Sequence, residues 1–381
     1  MNTWLAACDR DRAWLIDLVR ALVECESPST DRAALDACAA MVASRADAEG
    51  ASVERAAAGS AAADHVLARW PGDGVPILIL GHCDTVWPVG QIARMPVHEE
   101  GGRLYGPGIF DMKAGLGIGL LAIRTLVGQL PVARRPRVTL LVTTDEEVGS
   151  GSSRRLIERL ALESSAVLVL EPSLAGGAVK TARKGVGEFD IELTGVSSHA
   201  GVDPGGGASA ISELARVIAR IEALADHSRG LFINVGVVEG GTRPNVVAEL
   251  ASARVDVRVS RLGDLAVIEA AFAALRSVDP RVALRVSGGM NRPPMVRSAG
   301  VARLYELARR VARVLGRELG EGATGGGSDG NFTAALGVPT LDGLGATGDG
   351  AHALHEHVIV NDLPWRSALL AAVMARLSDV G

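Results

Sequence analysis

The chain has 381 residues, of which 48% are hydrophobic and 22% are charged, and this globular composition argues against global disorder. Lysine and arginine number 39 against 44 aspartates and glutamates, and the formal net charge of −5 argues against nucleic acid as an electrostatic partner. The sequence has no run of about 18 apolar residues, and its start lacks the basic and apolar regions of a signal peptide, so we expect a cytoplasmic protein without a membrane span.

The first half of the chain alternates helical and strand patterns. Helical spacing or end signals predict four helices, over residues 10–25, 31–48, 114–128 and 152–162. For the second helix we expect Ser29 or Thr30 as the N-cap. Short, continuously apolar runs predict strands covered on both faces, over residues 65–70, 77–80, 138–142 and 167–170. The alternation predicts an α/β protein with a doubly wound, mostly parallel sheet.

The pattern changes after about residue 184. The next elements are predicted in the order strand, helix, strand, strand, helix, strand, over residues 186–193, 207–225, 231–238, 247–259, 264–276 and 282–287. This is the β-α-β-β-α-β order of the ferredoxin-like unit, so we expect an inserted α+β domain. The rest is predicted as two helices, a strand and a last helix, over residues 298–316, 328–336, 338–342 and 363–378. The domain bounds we predict are 1–184 and 292–381 for a discontinuous first domain, and 185–291 for the insert.

The four cysteines form no CxxC pair and are too few for a disulfide scaffold: Cys8, Cys25, Cys38 and Cys83. We expect reduced, mostly buried thiols. For Cys83, which lies between two polar residues, packing is the expected role.

Side chains of the kind that bind metals concentrate in five segments. They are GHCDTV (His82, Asp84), GIFDMKAG (Asp111), TTDEEVGS (Asp145, Glu146, Glu147), LEPS (Glu171) and GAHALHEHV (His352, His355, His357). Four of the five follow a predicted strand, and the carboxyl ends of parallel strands meet at one edge of a sheet. Histidines and carboxylates without cysteine suit zinc or a similar divalent ion at a hydrolytic site. The supply exceeds what one tetrahedral ion uses and matches two ions that share a carboxylate.

The motifs together resemble those of a known family. GHCDTV, GPGIFDMKAG, TTDEEVGS, LEPS, SSHAG, GGTRPNVV and GAHALHEHV stand in family order between residues 81 and 358. The chain resembles the zinc peptidases and deacylases that include glutamate carboxypeptidases, aminoacylases, acetylornithine deacetylase and succinyl-diaminopimelate desuccinylase, and glutamate carboxypeptidase most of all. The resemblance implies a catalytic zinc domain interrupted by a ferredoxin-like lid through which two chains dimerise.

The resemblance also implies roles for the metal-type residues. Two zinc ions would be held by His82, Asp111, Glu147, Glu171 and His352. Asp111 would bridge the ions, Glu171 would complete the site of His82, and Glu147 with His352 would hold the second ion. Asp84 would orient His82 through a hydrogen bond. Glu146 would be the general base for the bridging water, although spacing alone does not distinguish Glu146 from Glu147.

Two histidines compete for the last ligand position. The family pattern is a histidine followed four residues later by glutamate, which His352 and Glu356 satisfy and His355 does not. We therefore expect His352 to be the ligand.

Further residues resemble substrate-binding groups of the family. His199 in SSHAG would reach the active site of the dimer mate and polarise the scissile carbonyl, with Asn245 near the same group. Arg258 would clamp a substrate carboxylate, unless it pairs instead with Asp256 or Glu249. The glycine-rich loop before the helix at 328–336 would receive a carboxylate on its backbone N–H groups, at Gly326, Gly327 and Ser328.

The function implied is a two-zinc hydrolase that cleaves an amide bond next to a free carboxylate. The substrate would be an N-acyl amino acid, a glutamate conjugate or a dipeptide. Two alternatives stay open: an N-carbamoyl amino acid amidohydrolase on the same scaffold, and a non-catalytic homologue that only binds. The complete ligand set and Glu146 weigh against the second, because a binding protein needs no general base. The acyl group and the native metal, zinc or cobalt or manganese, are left open by the sequence.

Overall fold

The computed structural model describes residues 3–59 and 63–377. It divides into two compact units. The first unit comprises the chain up to Ala182, Arg297–Thr324 and the chain from Ser328 onward, and the second comprises Arg183–Val296 with Gly325–Gly327. In the part of the chain that the structure describes, no helix combines the length and the apolarity needed to cross a membrane.

Ten α-helices and sixteen strands are found among the described residues. The helices are α1 Thr3–Arg10, α2 Arg12–Glu24, α3 Arg32–Ala48, α4 Ala114–Gln129, α5 Arg154–Leu162, α6 Ala210–Glu222, α7 Gly263–Ala273, α8 Ala299–Val314, α9 Gly330–Ala335 and α10 Leu363–Leu377. The strands are β1 Ser52–Ala56, β2 His65–Trp70, β3 Pro76–His82, β4 His98–Glu100, β5 Arg103–Tyr105, β6 Arg137–Thr143, β7 Ala166–Val169, β8 Val179–Arg183, β9 Gly185–Thr194, β10 Phe232–Gly240, β11 Leu250–Val259, β12 Ala283–Arg292, β13 Glu321–Thr324, β14 Thr340–Leu341, β15 Gly348–Asp349 and β16 His357–Ile359. The predicted last helix ended at residue 378, which lies outside the described residues.

The first unit is built on a six-stranded sheet in the order β1-β2-β6-β3-β7-β14. The strands from β6 to β14 run parallel, and β2 and β1 join antiparallel at one edge. In β3, Ile77 and Ile79 face one core cluster while Leu78 and Leu80 face another. Burial on both faces explains why the strand reads as an uninterrupted apolar run. The predicted α/β class with a doubly wound, mostly parallel sheet is confirmed.

Helices cover both faces of this sheet. On one face α4 packs against α1, α2 and α10, and on the other α5 packs against α9. Helix α4 is buried on nearly every side, which explains its nearly uniform apolar sequence. Two smaller sheets complete the first unit. One has four short strands in the order β15-β16-β5-β4, and the other pairs β13 with β8.

The start of α3 differs from the prediction. Its N-cap is Asp31, whose side chain accepts a hydrogen bond from the N–H of Ala34 at 3.1 Å. The expected caps, Ser29 and Thr30, precede this position, and the Ser29 hydroxyl donates to Asp84 instead at 2.8 Å. Sequence reasoning also missed α1 and several short strands, β1 and β4 among them.

The second unit is a four-stranded antiparallel sheet in the order β10-β11-β9-β12, and its element order is the predicted β-α-β-β-α-β. Alternate residues of β9 and β11 point into a core shared with α6 and α7. At its centre the rings of Phe189 and Phe272 stack with centroids 3.9 Å apart. Arg183 and Met295, at the two ends of the long segment of this unit, exchange backbone hydrogen bonds of 2.9 and 3.0 Å.

Candidate metal centre

Three neighbouring parallel strands bring most of the candidate ligands to one edge of the sheet. His82 is the last residue of β3, Glu146 and Glu147 form a 3-10 turn shortly after β6, and Glu171 lies two residues beyond β7. Because β6, β3 and β7 are adjacent and parallel, their carboxyl ends share this edge. Asp111 arrives from the turn before α4.

His82 is oriented from one side and faces carboxylates on the other. Its Nδ1 lies 3.0 Å from the carbonyl oxygen of Asp84, which can only accept, so Nδ1 carries the proton in the neutral ring. Its Nε2 faces Asp111 Oδ1 at 3.3 Å and Glu171 Oε1 at 3.6 Å. Burial alone lowers the pKa of His82, but the three neighbouring carboxylates outweigh it and raise that pKa well above its usual value. In the neutral ring, which is the form that binds metals, Nε2 has a lone pair directed at these carboxylate oxygens.

Two buried atoms at this place have no hydrogen-bond partner among the described residues. They are His82 Nε2 and Asp111 Oδ1. A buried polar atom without a partner costs free energy, and two such acceptors face each other here. A cation between them would satisfy both, so the residues fit a divalent metal ion such as zinc.

Asp111 presents one oxygen to each of two histidines. Oδ1 faces His82, and Oδ2 lies 3.7 Å from Nε2 of His352, which is also 3.3 Å from Glu147 Oε1. Ligand atoms lie within 4.8 Å of one another in two sets, His82 with Glu146 and Glu171, and His82 with Asp111 and Glu147. This arrangement can hold two ions that share the Asp111 carboxylate.

The adjacent residues Glu146 and Glu147 are held by one buried carboxylate. Asp84 accepts the N–H of Glu146 on Oδ1 at 3.2 Å and the N–H of Glu147 on Oδ2 at 3.1 Å. Oδ2 also accepts the Ser29 hydroxyl, and Oδ1 lies 3.4 Å from His82 Nδ1. Asp84 therefore fixes both glutamates and the histidine together. Ser29 was missed as a site residue, because nothing in the sequence pairs it with Asp84.

Glu147 and His352 are in contact, and the pKa of each departs from its usual value. Burial raises the pKa of Glu147, and the contact with Glu147 raises the pKa of His352 to about 9. Of the three clustered histidines, His352 is the one that contacts the carboxylates. His355 is exposed, and His357 donates from Nδ1 to the carbonyl oxygen of His355 at 2.9 Å while its ring lies against Tyr105.

His199 and Asn245 belong to the second unit and lie on adjoining segments. The N–H of Ala200 donates to the carbonyl oxygen of Asn245 at 3.0 Å. Nδ1 of the exposed His199 accepts from the N–H groups of Gly201 and Val202 at 3.2 and 3.1 Å. The neutral ring therefore carries its proton on Nε2, which is then a hydrogen-bond donor.

Arg258 pairs with Asp256, one of the two partners that the sequence left open. Its Nε lies 2.8 Å from Asp256 Oδ1 and its Nη2 2.7 Å from Oδ2, and Nη1 donates to the carbonyl of Gly325 at 3.3 Å. The role of Arg258 as a carboxylate clamp stays a prediction.

Many polar groups of the glycine-rich loop are hydrogen-bonded to other residues of the protein. The carbonyls of Gly326 and Gly327 accept from Arg183 at 3.1 and 3.0 Å. Ser328 is buried, its N–H donates to the side chain of Asn331 at 3.0 Å, and its hydroxyl donates to Asp342 at 2.6 Å. The following helix α9 has only six residues. A substrate role for this loop stays a prediction.

Comparison with known proteins places these observations in a family. The profile of Peptidase family M20/M25/M40 matches residues 78–376. Carboxypeptidase G2 of Pseudomonas sp. (strain RS-16) is 30% identical over 332 residues, which cover 84% of this chain and 78% of that protein. Succinyl-diaminopimelate desuccinylase of Ectopseudomonas mendocina (strain ymp) is 26% identical over 336 residues, which cover 82% of this chain and 86% of that protein. The solved structure of aminopeptidase PepT from Bacillus cereus ATCC 10987 superposes with a TM-score of 0.81 at 23% identity, covering 96% of this chain and 98% of that one, and shares the fold.

Proposed function

Because this chain belongs to peptidase family M20/M25/M40 and is a hydrolase of that family, we propose that it is a two-zinc enzyme that cleaves an amide bond next to a free carboxylate. The observation that carries the two-ion part is Asp111, whose two oxygens face two different histidines. The names of the relatives, a carboxypeptidase and a desuccinylase, support an amide substrate with a carboxylate.

Five side chains of the first unit would hold the ions. His82 and Glu171 serve one, Glu147 and His352 serve the other, and Asp111 is shared. When bound, the zinc ions would polarise the scissile carbonyl and lower the pKa of the attacking water toward about 7.

Glu146 acts as the general base in this proposal. Its backbone is fixed by Asp84, and its carboxylate lies within 4.8 Å of the ligand atoms of His82 and Glu171. From there it accepts a proton from the attacking water at a carboxylate oxygen and delivers it to the leaving nitrogen. The same position would also suit a metal ligand, and the metal content of a Glu146 variant distinguishes the two roles.

The second unit supplies the remaining groups. His199 would donate from Nε2 to the substrate carbonyl, and its fixed tautomer supports this role. Arg258 would bind the substrate carboxylate with two parallel hydrogen bonds after exchanging Asp256 for it. We further propose that the protein is a cytoplasmic homodimer in which His199 serves the neighbouring chain.

The proposal is tested by hydrolysis of a panel of N-acyl amino acids, N-carbamoyl amino acids and dipeptides, with metal-free and zinc-loaded protein. We expect chelation to abolish activity and about two zinc ions per chain to restore it. The highest kcat/KM is expected for an N-acyl or peptide substrate with a free carboxylate. A preference for N-carbamoyl substrates would support the alternative amidohydrolase. Full restoration of activity by one zinc ion per chain would contradict the sharing of Asp111 by two ions.

A further inference from the structure

Glu356 is a buried carboxylate whose hydrogen bonds all come from neighbouring segments of the candidate metal centre. It has no solvent exposure. Oε1 accepts the N–H groups of Phe110 and Asp111 at 2.9 and 3.1 Å. Oε2 accepts the N–H of Gly108 at 2.9 Å and the indole N–H of Trp87 at 2.8 Å. Four donors match the four directions in which a carboxylate accepts.

Three of these donors belong to the turn that carries Asp111. Gly108 has a left-handed backbone with φ of 69°, and a Cβ there would lie 2.5 Å from the Thr85 side chain. Just before this turn, the N–H of Gly106 also donates to the backbone carbonyl oxygen of Glu356 at 3.3 Å. Asp111 is therefore anchored by its own N–H while its side chain faces the two histidines.

Glu356 also closes the turn that carries His352. Its N–H donates to the carbonyl of Ala353 at 3.0 Å, and the N–H of Ala353 donates to the carbonyl of Gly350 at 2.8 Å. Within this turn His352 has φ of 61°, a left-handed conformation that few residues with side chains adopt. One residue thus joins the turn of Asp111 to the turn of His352.

We propose that Glu356 is a positioning residue that fixes Asp111 relative to His352. It would hold the Asp111 carboxylate, before any zinc ion binds, in the position where two zinc ions can share it. The proposal rests on the proposed two-zinc function. Both oxygens of Glu356 are occupied by donors, so it is not itself a ligand. Since Asp111 is shared, displacing it weakens both ions together.

The Glu356→Gln variant separates positioning from simple stabilisation. Glutamine keeps the shape but has one accepting oxygen, and its NH2 group would meet N–H groups that also donate. We expect the zinc dissociation constants of both ions, measured by chelator competition on metal-free protein, to rise by about 10–100-fold. At saturating zinc we expect kcat to fall and KM to change little.

Two further variants serve as comparisons. Trp87→Phe removes the one donor outside the Asp111 turn, so we expect it to retain zinc affinity within about threefold of wild type, since the three backbone donors remain. Glu100→Gln, an exposed glutamate of β4, is expected to match wild type in zinc affinity and melting temperature.

The outcomes separate the inference from the proposed function. A wild-type protein that binds fewer than two zinc ions contradicts the two-zinc function. A folded Glu356→Gln protein that binds two ions with wild-type affinity, or loses affinity for one ion only, overturns the positioning role. If that variant does not fold, hydrogen exchange of the backbone amides of metal-free wild type decides instead. We expect the amides of Phe110 and Asp111 to exchange slowly without zinc. Fast exchange at both overturns the proposal.

Discussion

Asp111 and Asp84 show how single carboxylates organise this centre in different ways. Asp111 has a buried oxygen without a hydrogen-bond partner among the described residues, whereas the oxygens of Asp84 accept N–H and hydroxyl donors. A carboxylate with unused lone pairs is suited to bind a cation, and one saturated with donors is suited to hold neighbouring groups in place. Their hydrogen bonds thus distinguish these two aspartates, Asp111 as a candidate ligand and Asp84 as a supporting residue.

Replacing Glu146 by alanine should leave zinc binding intact and lower kcat by about 10²–10⁴-fold, because a general base contributes about that much. Zinc content by elemental analysis and kcat on the best panel substrate are the measurements, with Glu147→Ala as the matched comparison. We expect Glu147→Ala to lose one zinc ion. The opposite pattern, with metal lost from the Glu146 variant, would reverse the two assignments.

The sequence could predict which residues converge, but not how they are held. His82, Glu147 and Glu171 lie at or shortly after the ends of strands that proved parallel and adjacent, and the topology of such sheets brings strand ends together. Ser29 and Trp87 could not be predicted as partners of Asp84 and Glu356, since their contacts depend on loop conformations. The catalytic and ligand roles themselves stay predictions.

At the scale of elements, helix α3 is capped by the side chain of Asp31, which the sequence analysis did not propose as the N-cap. Ser29, Thr30 and Asp31 are all good N-cap residues, and the cap is the last of them. Choosing among three adjacent candidates requires knowing where the helical backbone begins, and sequence patterns locate helix ends only within a few residues. The short strands β4, β5 and β16 were not predicted for a related reason, because an alternating pattern cannot be detected over three residues.

The Asp31→Ala variant should lower the free energy of unfolding by about 1 kcal/mol, the usual effect of removing an N-cap side chain. Thr30→Ala, which removes an exposed neighbour, should have little effect. Urea denaturation of both metal-free variants measures this difference. A larger loss in Thr30→Ala than in Asp31→Ala would show that the helix is capped elsewhere in solution.

The link between β13 and the segment before α8 predicts a pH dependence. Arg297 donates to both oxygens of Glu321 at 2.7 and 2.8 Å and holds the pKa of Glu321 below its usual value. A carboxyl with a lowered folded-state pKa stabilises the protein at pH values above its unfolded pKa, and this contribution is lost as the pH falls through the folded-state pKa.

We therefore expect Glu321→Gln to melt at a lower temperature than wild type at neutral pH, with the difference shrinking in acid. Scanning calorimetry of the metal-free proteins between neutral pH and pH 3 would show it. The control is Glu318→Gln, which removes an exposed partner of Arg313. A difference between Glu321→Gln and wild type that stays constant with pH would contradict the role of this carboxylate.

At the scale of the whole molecule, the alternation of helical and strand patterns along the chain was enough to predict the α/β class and its mostly parallel sheet. The reason lies in runs such as Ile77–Leu80, whose continuous apolarity indicates burial on both faces. Contacts between chains leave no comparable pattern in one sequence, and the homodimer stays a proposal.

Complementation tests the donated histidine of that dimer. His199→Ala and Glu146→Ala should each be nearly inactive alone. In mixed dimers one of the two sites combines an intact Glu146 with a His199 from the partner, so random mixing should restore about a quarter of wild-type activity. Co-expression with two affinity tags isolates the mixed dimers. Tagged heterodimers without activity, or an active monomer, would show that His199 does not act across an interface.

The reciprocal hydrogen bonds between Arg183 and Met295 have a consequence for how such an enzyme can diversify. The chain enters and leaves the second unit's long segment at one point, so residues 183–296 form a cassette with adjoining ends. The residues proposed to hold zinc lie outside this cassette. Of the residues proposed to bind the substrate, His199, Asn245 and Arg258 lie within it, and the loop of Gly326, Gly327 and Ser328 lies outside it. Recombination or protein engineering could therefore exchange three of the proposed substrate contacts as one continuous gene segment, while the proposed zinc ligands and Glu146 stay unchanged.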